Sequence, residues 1–326
     1  MPFIDRSTYR PPWGLSNAHV QTILPQFRSV RGVAYRRERI ATPDGDFLDL
    51  DWSEAGAKRL AILSHGLEGN TQRTYILGMV KALRRGGWDA LAWNYRGCSG
   101  EPNRKLRSYH SGETGDLHTV LQHAVSQGRH AEIALIGFSL GGNITLKYLG
   151  EQGTAVHPLV KKAVTFSVPC DLESGALKLA RPAAKLYMLR FLRSLRQKVR
   201  EKKRMFPGRI DDAGLDRIRT FHEFDDRYTA PIHGFKDAHD YFTRCSSRQF
   251  LQAIRIPALM VNARNDPFLA EPSFPFEEAR ASEHFFFEAP AHGGHTGFIS
   301  FNRGGEYWSE TRALSFLNGG PEMRGV

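Results

Sequence analysis

The residues best suited to carry chemistry lie in Gly137-Phe138-Ser139-Leu140-Gly141, which follows an apolar run and opens a helical pattern. A glycine two positions to either side of a serine leaves room for a turn so sharp that the hydroxyl projects from the end of a strand. The helix that begins directly after it aims amide N–H groups and a positive dipole end at the same spot. Placed so, the serine is a nucleophile for acyl transfer, provided a base takes its proton. A glycine-rich phosphate-binding turn is the other reading. It fails because the sequence offers no G-x-G-x-x-G pattern here and no lysine after the glycines.

The base should be an imidazole, oriented by an acid. His292 and His295, in Ala291-His292-Gly293-Gly294-His295-Thr296-Gly297, both sit in a glycine-flanked loop able to reach back over the serine. His295 is taken as the base and His292 as its rival. Asp266, in Asn265-Asp266-Pro267, falls just past another apolar run, and Pro267 stops the chain from continuing as strand or helix. It is the expected acid, with Asp171 as the alternative. A developing oxyanion needs hydrogen-bond donors. The backbone amides of Leu67, in Ser64-His65-Gly66-Leu67-Glu68-Gly69, and of Leu140 are expected to supply them. His65 has no H-E-x-x-H or H-x-x-E-H partner spacing, so a loop-shaping role is expected rather than a metal. His19, His110, His118 and His123 are read as packing residues, with His110 of interest because it stands just ahead of a helical segment.

These groups converge only if flanking elements deliver them to one edge of a sheet. Residues 33–40 and 45–52 alternate apolar and polar around Thr42-Pro43-Asp44-Gly45, which predicts a hairpin. Short runs at 59–64, 88–93, 132–137, 162–168, 257–263 and 283–288 then alternate with amphipathic segments at about 73–86, 115–127, 140–150 and 306–317. Strands apolar along their length and separated by helices predict an α/β fold, a mostly parallel central sheet flanked by helices. From 170 to 250 the alternation stops. That stretch predicts an inserted helical lid on the C-terminal edge of the sheet, where ligand sites in open α/β sheets lie. The expected division is an N-terminal extension at 1–32, a core of 33–169 and 251–326, and a lid of 170–250.

The 326 residues are 41% hydrophobic and 24% charged, which excludes disordered, collagen-like and coiled-coil chains. Cys98, Cys170 and Cys245 are too few and too scattered for a disulfide framework or a zinc site, and suit a reducing compartment. No apolar run approaches the roughly 18 residues of a membrane span. The N-terminus lacks the apolar stretch of a signal peptide, so a cytoplasmic location is expected. The net charge of +11 belongs to one segment: residues 178–209 hold twelve Lys and Arg against a single acid, Glu201. Within it Met188, Leu192, Leu195 and Val199 recur at i, i+4, i+7 and i+11, and Arg190, Arg193, Arg196 and Arg200 follow on another face. A lid helix packed on the core with its charges in solvent accounts for this pattern. Peripheral contact with an anionic membrane is the sharper alternative. Nucleic acid is not an expected partner, because few aromatics interleave with the basic residues and no usual module matches.

In their order and context these residues resemble the α/β-hydrolase superfamily. Pro12-Trp13-Gly14-Leu15-Ser16-Asn17-Ala18-His19-Val20-Gln21-Thr22, Ser64-His65-Gly66-Leu67-Glu68-Gly69, Asn94-Tyr95-Arg96-Gly97-Cys98-Ser99-Gly100 and His292-Gly293-Gly294-His295-Thr296-Gly297-Phe298 are similar to signatures of its YheT-like branch. The likeness runs from about residue 10 to 317 and is weakest across 170–250. It implies a serine hydrolase of the carboxylesterase or acylglycerol-lipase kind, acting on short- or medium-chain acyl esters or acylglycerol-type lipids without cofactor or metal. Carried over motif by motif, it implies a triad of Ser139, Asp266 and His295 in the chain order serine, acid, histidine, which favours His295 over His292. An acyltransferase using the same triad and a non-catalytic binding protein on the same scaffold are the alternatives.

Overall fold

The structure is a computed structural model, and it describes residues 3–302 and 304–319. Its strands are β1 (Phe3–Ile4), β2 (Arg36–Ala41), β3 (Phe47–Ser53), β4 (Arg59–Ser64), β5 (Asp89–Asn94), β6 (Glu132–Phe138), β7 (Val160–Phe166), β8 (Ala258–Val261) and β9 (Phe285–Glu288). They form one sheet in the order β1-β9-β8-β7-β6-β4-β5-β3-β2. The predicted hairpin is β2 and β3, paired antiparallel with Ala41 opposite Phe47, and β3 also runs antiparallel to β5. The remaining pairs are parallel.

The helices before the insertion are α1 (Ala18–Ile23), α2 (Thr74–Arg85), α3 (Thr114–Ser126) and α4 (Leu140–Gln152). The insertion between β7 and β8 holds α5 (Leu172–Leu179), α6 (Lys185–Met205), α7 (Phe221–Phe224), α8 (Ala230–His233) and α9 (Ala238–Cys245). The chain then adds α10 (Phe276–Arg280) and α11 (Trp308–Leu317). Each central strand is apolar on both faces because helices cover both. Leu60 and Ile62 of β4 pack with Leu117 and Val120 of α3 and Ile144 of α4. Ala61 and Leu63, pointing the other way, pack with Met79 and Leu83 of α2 and Phe316 of α11. Full burial of each such Leu, Ile or Phe contributes roughly 1.5–3 kcal/mol. Truncating Ile62 to alanine would cost about 3 kcal/mol through lost transfer energy and a residual cavity.

The insertion has an apolar cluster of its own, in which Met188, Leu192 and Val199 of the 21-residue α6 meet Leu179, Phe221 and Phe242. Leu195, the fourth member of the stripe, is half-buried beside them. The expectation that the charges of this helix all lie in solvent needs correction. Lys198 and Lys202 turn inward, Lys198 Nζ reaching Glu68 Oε1 at 2.8 Å and Lys202 Nζ donating to the Asn103 carbonyl at 2.8 Å. A lysine stem is apolar for four carbons and crosses a hydrophobic layer as readily as a leucine, a possibility that helical periodicity does not register.

The N-terminal stretch is built into the core. β1 adds to β9, with Phe3 opposite Phe287. α1 is capped by the Asn17 side chain, which accepts the His19 and Val20 N–H groups. It packs so tightly on the loop after β9 that a Cβ on Gly297 would lie 2.1 Å from the Gln21 carbonyl oxygen.

Candidate active site

Parallel strands end at the same edge, so the loops after β4, β6, β8 and β9 meet there. Ser139 occupies the step from β6 to α4 with φ 53° and ψ −121°, a conformation L-residues seldom adopt. Its strain, on the order of 1–3 kcal/mol, is offset by backbone hydrogen bonds. The Ser139 N–H donates to the Phe166 carbonyl at 2.8 Å, and the Ser139 carbonyl accepts Gly142 N–H at 2.9 Å and Asn143 N–H at 3.1 Å. The flanking glycines are required by crowding. A Cβ on Gly137 would meet the Gly141 carbonyl oxygen at 2.5 Å, and one on Gly141 would meet that of Ser64 at 2.3 Å.

His295 comes to this serine from the loop after β9. Its Nε2 lies 2.9 Å from Ser139 Oγ and its Nδ1 lies 2.8 Å from Asp266 Oδ2. A carboxylate can only accept, so the ring proton stands on Nδ1 and Nε2 is left to accept from the hydroxyl. Asp266 is 1% exposed, and its second oxygen takes the Phe268 N–H at 2.8 Å. The Phe268 ring lies 4.2 Å from the His295 ring, centroid to centroid. From below, the His295 N–H donates to Thr22 Oγ1 of α1 at 3.0 Å.

Leu67 and Leu140 line the same cavity as Ser139 and His295. Among the described residues neither amide N–H meets an acceptor. The loop carrying Leu67 crowds the serine: a Cβ on Gly66 would lie 3.2 Å from Ser139 Cβ. His65 shapes that loop. Its Nδ1–H donates to the Gly66 carbonyl at 2.8 Å and its Nε2 accepts the Tyr95 N–H at 3.3 Å. Burial pushes the ring down to about 3, so it stays neutral.

The rivals lie elsewhere. His292 Nδ1 sits 3.1 Å from the Ser16 carbonyl, and Asp171 caps α5 by accepting the Ser174 N–H at 2.9 Å. His110 is partly buried at the cavity wall, its ring 4.8 Å from that of His233.

The cavity has a volume of about 170 Å³ and runs from Ser139 and His295 under the insertion. Leu172, Leu179, Phe191, Leu195, Phe221 and Phe242 give it an apolar wall. Two acids in it escaped the reading of the sequence. Glu68 meets Lys198 of α6. Asp225 has Oδ1 accepting the Thr229 hydroxyl at 2.5 Å, and burial pushes its carboxyl up to about 7. The aromatic-rich setting of Phe224-Asp225 with Thr229 four residues on was the available signal, but helical spacing does not say which side of a new element faces a cavity. Among the described residues no group of three or more His, Cys, Asp or Glu side chains is placed to hold a metal ion.

A family model described as alpha/beta hydrolase fold matches residues 62–301. The chain is 37% identical over 328 residues to YheT of Escherichia coli (strain K12), which carries the name of an esterase, covering 97% of this chain and 94% of that one. It is 32% identical over 308 residues to phospholipase ABHD3 of Mus musculus, covering 91% and 74%. With a monoacylglycerol lipase of Saccharomyces cerevisiae the identity is 27% over 324 residues, covering 96% and 68%. Among solved structures, the esterase Pf2001 of Pyrococcus furiosus superposes with a TM-score of 0.59 at 16% identity, covering 88% of this chain and 91% of that one. At that identity the likeness is one of fold.

Proposed function

The chain belongs to the YheT-like branch of the alpha/beta hydrolase family, and on that premise we propose that it hydrolyses carboxylic esters through an acyl-enzyme on Ser139. His295 takes the Ser139 proton as the hydroxyl oxygen attacks the ester carbonyl, and Asp266 holds the imidazole in the tautomer that can accept it. The Leu67 and Leu140 amides stabilise the oxyanion, a contribution of about 3 kcal/mol per donor. His295 then protonates the departing alcohol. In the second half-reaction it activates water, which releases the acid and restores the serine.

The observation carrying this reading is the unbroken hydrogen-bonded line Ser139–His295–Asp266, at 2.9 and 2.8 Å, beside two amides that meet no acceptor among the described residues. The substrate class follows from the cavity. Its apolar wall suits the acyl chain of a short- or medium-chain ester or an acylglycerol-type lipid, in line with relatives named for phospholipid and monoacylglycerol hydrolysis. The inserted helices α5–α9 serve as a lid over that chain.

A series of p-nitrophenyl esters from acetate to palmitate tests the reading on purified protein. The expected result is turnover rising with chain length to an optimum set by the cavity, and lost on Ser139→Ala. Absence of turnover for every ester would refute it.

A further inference from the structure

Val20, Ile23, Leu24 and Phe27 follow one another at i, i+3, i+4 and i+7 across α1 and the turn after it. That spacing gathers side chains on one helix face, and against a protein core the apolar face is the one that goes inward. Here it is turned outward. Phe27 is 79% exposed and Ile23 44%, while the buried residues of α1 are the polar Gln21 and Thr22. Both polar side chains have partners: Gln21 Oε1 accepts the Tyr9 hydroxyl at 2.7 Å, and Thr22 Oγ1 accepts the His295 N–H.

α6 extends this surface. It lies against α1 with Tyr187 OH 3.0 Å from His19 Nδ1 and the two rings stacked at 5.8 Å, and Arg190 donates to Gln26 Oε1. Leu186, 82% exposed, and the exposed Leu189 belong to the same turns of α6 that make this contact. Arg181, Lys185 and Arg193 are exposed on the same stretch of chain, and among the described residues neither they nor Arg190 pair with a carboxylate. The sequence has no Asp or Glu from 7 to 37 or from 174 to 200. The surface is therefore apolar at its centre and of one charge sign at its border. The Met188, Leu192 and Val199 stripe, by contrast, is buried and takes no part.

We propose that the face formed by α1 and the first half of α6 seats the protein on an anionic lipid surface, its leucine, isoleucine and phenylalanine side chains entering the interface and its arginines and lysine meeting the headgroups. Charge complementarity selects this occupant: a neutral apolar partner leaves the cations unanswered, and a purely polyanionic one leaves the apolar side chains in water. The docking face is joined to the site. Thr22 braces His295, the Tyr187 ring packs 4.8 Å from Phe268, and Phe191 and Leu195 of α6 line the cavity. Its use in delivering lipid esters rests on the proposed function, whereas the binding itself is measured without turnover.

Co-sedimentation with vesicles of phosphatidylcholine alone, and of phosphatidylcholine with phosphatidylglycerol, tests the proposal at low and high salt. Wild type is expected to bind the anionic vesicles, less so in high salt. The triple variant Ile23→Ser/Phe27→Ser/Leu186→Ser should lose about tenfold in vesicle affinity while keeping its thermal transition and its turnover of a short soluble ester. Lys185→Gln/Arg193→Gln should lose the preference for anionic vesicles. Equal binding to both vesicle types, no binding, or triple-variant binding at the wild-type level would overturn the proposal. So would a wild-type dimer by light scattering that the triple variant converts to monomer without any change on vesicles, which would assign the face to a second copy. Loss of ester turnover in wild type with vesicle binding intact would count against the proposed function alone.

Discussion

Lys198 Nζ lies 2.8 Å from Glu68 Oε1, so the inserted helix α6 is fastened to the residue directly after Leu67. Glu68 sits at φ 53°, and its carboxylate also accepts the Tyr109 hydroxyl at 2.5 Å and the Ser194 hydroxyl of α6. Burial alone would raise the Glu68 carboxyl. The Lys198 charge and these hydroxyl donors outweigh it and hold the group below the ordinary carboxylate range. The strained conformation of the loop that carries the proposed oxyanion donor is thus maintained from the insertion.

Lys198→Met should destabilise the protein by about 3 kcal/mol, because it leaves a buried carboxylate without its cation. Its kcat on a soluble ester should fall more than its KM rises, since the loop and not the cavity is disturbed. Lys198→Met/Glu68→Leu, which removes both charges, should recover most of the stability. A folded-state value held below the unfolded one stabilises above the ordinary carboxylate range, and that stabilisation fades on acidification. Urea unfolding of wild type and the double variant should therefore converge as pH falls through that range.

Asp225 predicts the opposite pH trend. Its carboxyl is raised to about 7, so between the ordinary carboxylate range and that pH the unfolded chain ionises while the folded one does not. Stability falls across this interval as pH rises. Asp225→Asn cannot ionise and should be more stable than wild type by on the order of 2 kcal/mol near pH 8, with the difference vanishing near pH 4. Thermal unfolding at the two pH values checks the sign.

Two glycine-to-alanine changes should move stability in opposite directions. Gly141→Ala forces a methyl to 2.3 Å from the Ser64 carbonyl oxygen and should cost about 3 kcal/mol together with most ester turnover. Gly175→Ala, inside α5, meets its neighbours only at 3.7 and 3.8 Å and should stabilise by about 0.5–1 kcal/mol through helix propensity. Denaturation midpoints of the pair separate crowding from backbone entropy.

Asp266→Asn keeps the shape of the site but presents an amide to Nδ1, and should lower kcat by about 10⁴-fold. Asp171→Asn and His292→Ala, whose side chains bind a helix cap and the Ser16 carbonyl, should leave kcat within about twofold, as expected of groups without a role in the reaction. Steady-state kinetics on one soluble ester compares all three.

The positions of β2 to β9 and the meeting of Ser139, His295 and Asp266 were legible because each rests on local signals: uniform apolar runs, glycines around a sharp turn, and a proline after an acid. What the sequence withheld depends on tertiary partners. α1 lies in what reads only as an N-terminal extension, and its polar Thr22 faces inward because the His295 amide needs an acceptor there. Lys198 and Lys202 read as solvent charges on a basic helix, and only the neighbouring Glu68 and the Asn103 carbonyl turn them inward. Asp225 was equally hidden, since its partner Thr229 is local and nothing in the local pattern shows that this side of the chain faces the cavity.

The proposed hydrolysis requires that the hydroxyl at position 139 be activated by His295 and take up an acyl group. Labelling with a fluorophosphonate probe, followed by peptide mass spectrometry, tests it most directly. One adduct is expected, on Ser139, absent from Ser139→Ala and slowed by orders of magnitude in His295→Ala, with both variants retaining the wild-type circular dichroism. An adduct on another residue, or labelling of wild type no faster than of His295→Ala, would contradict it.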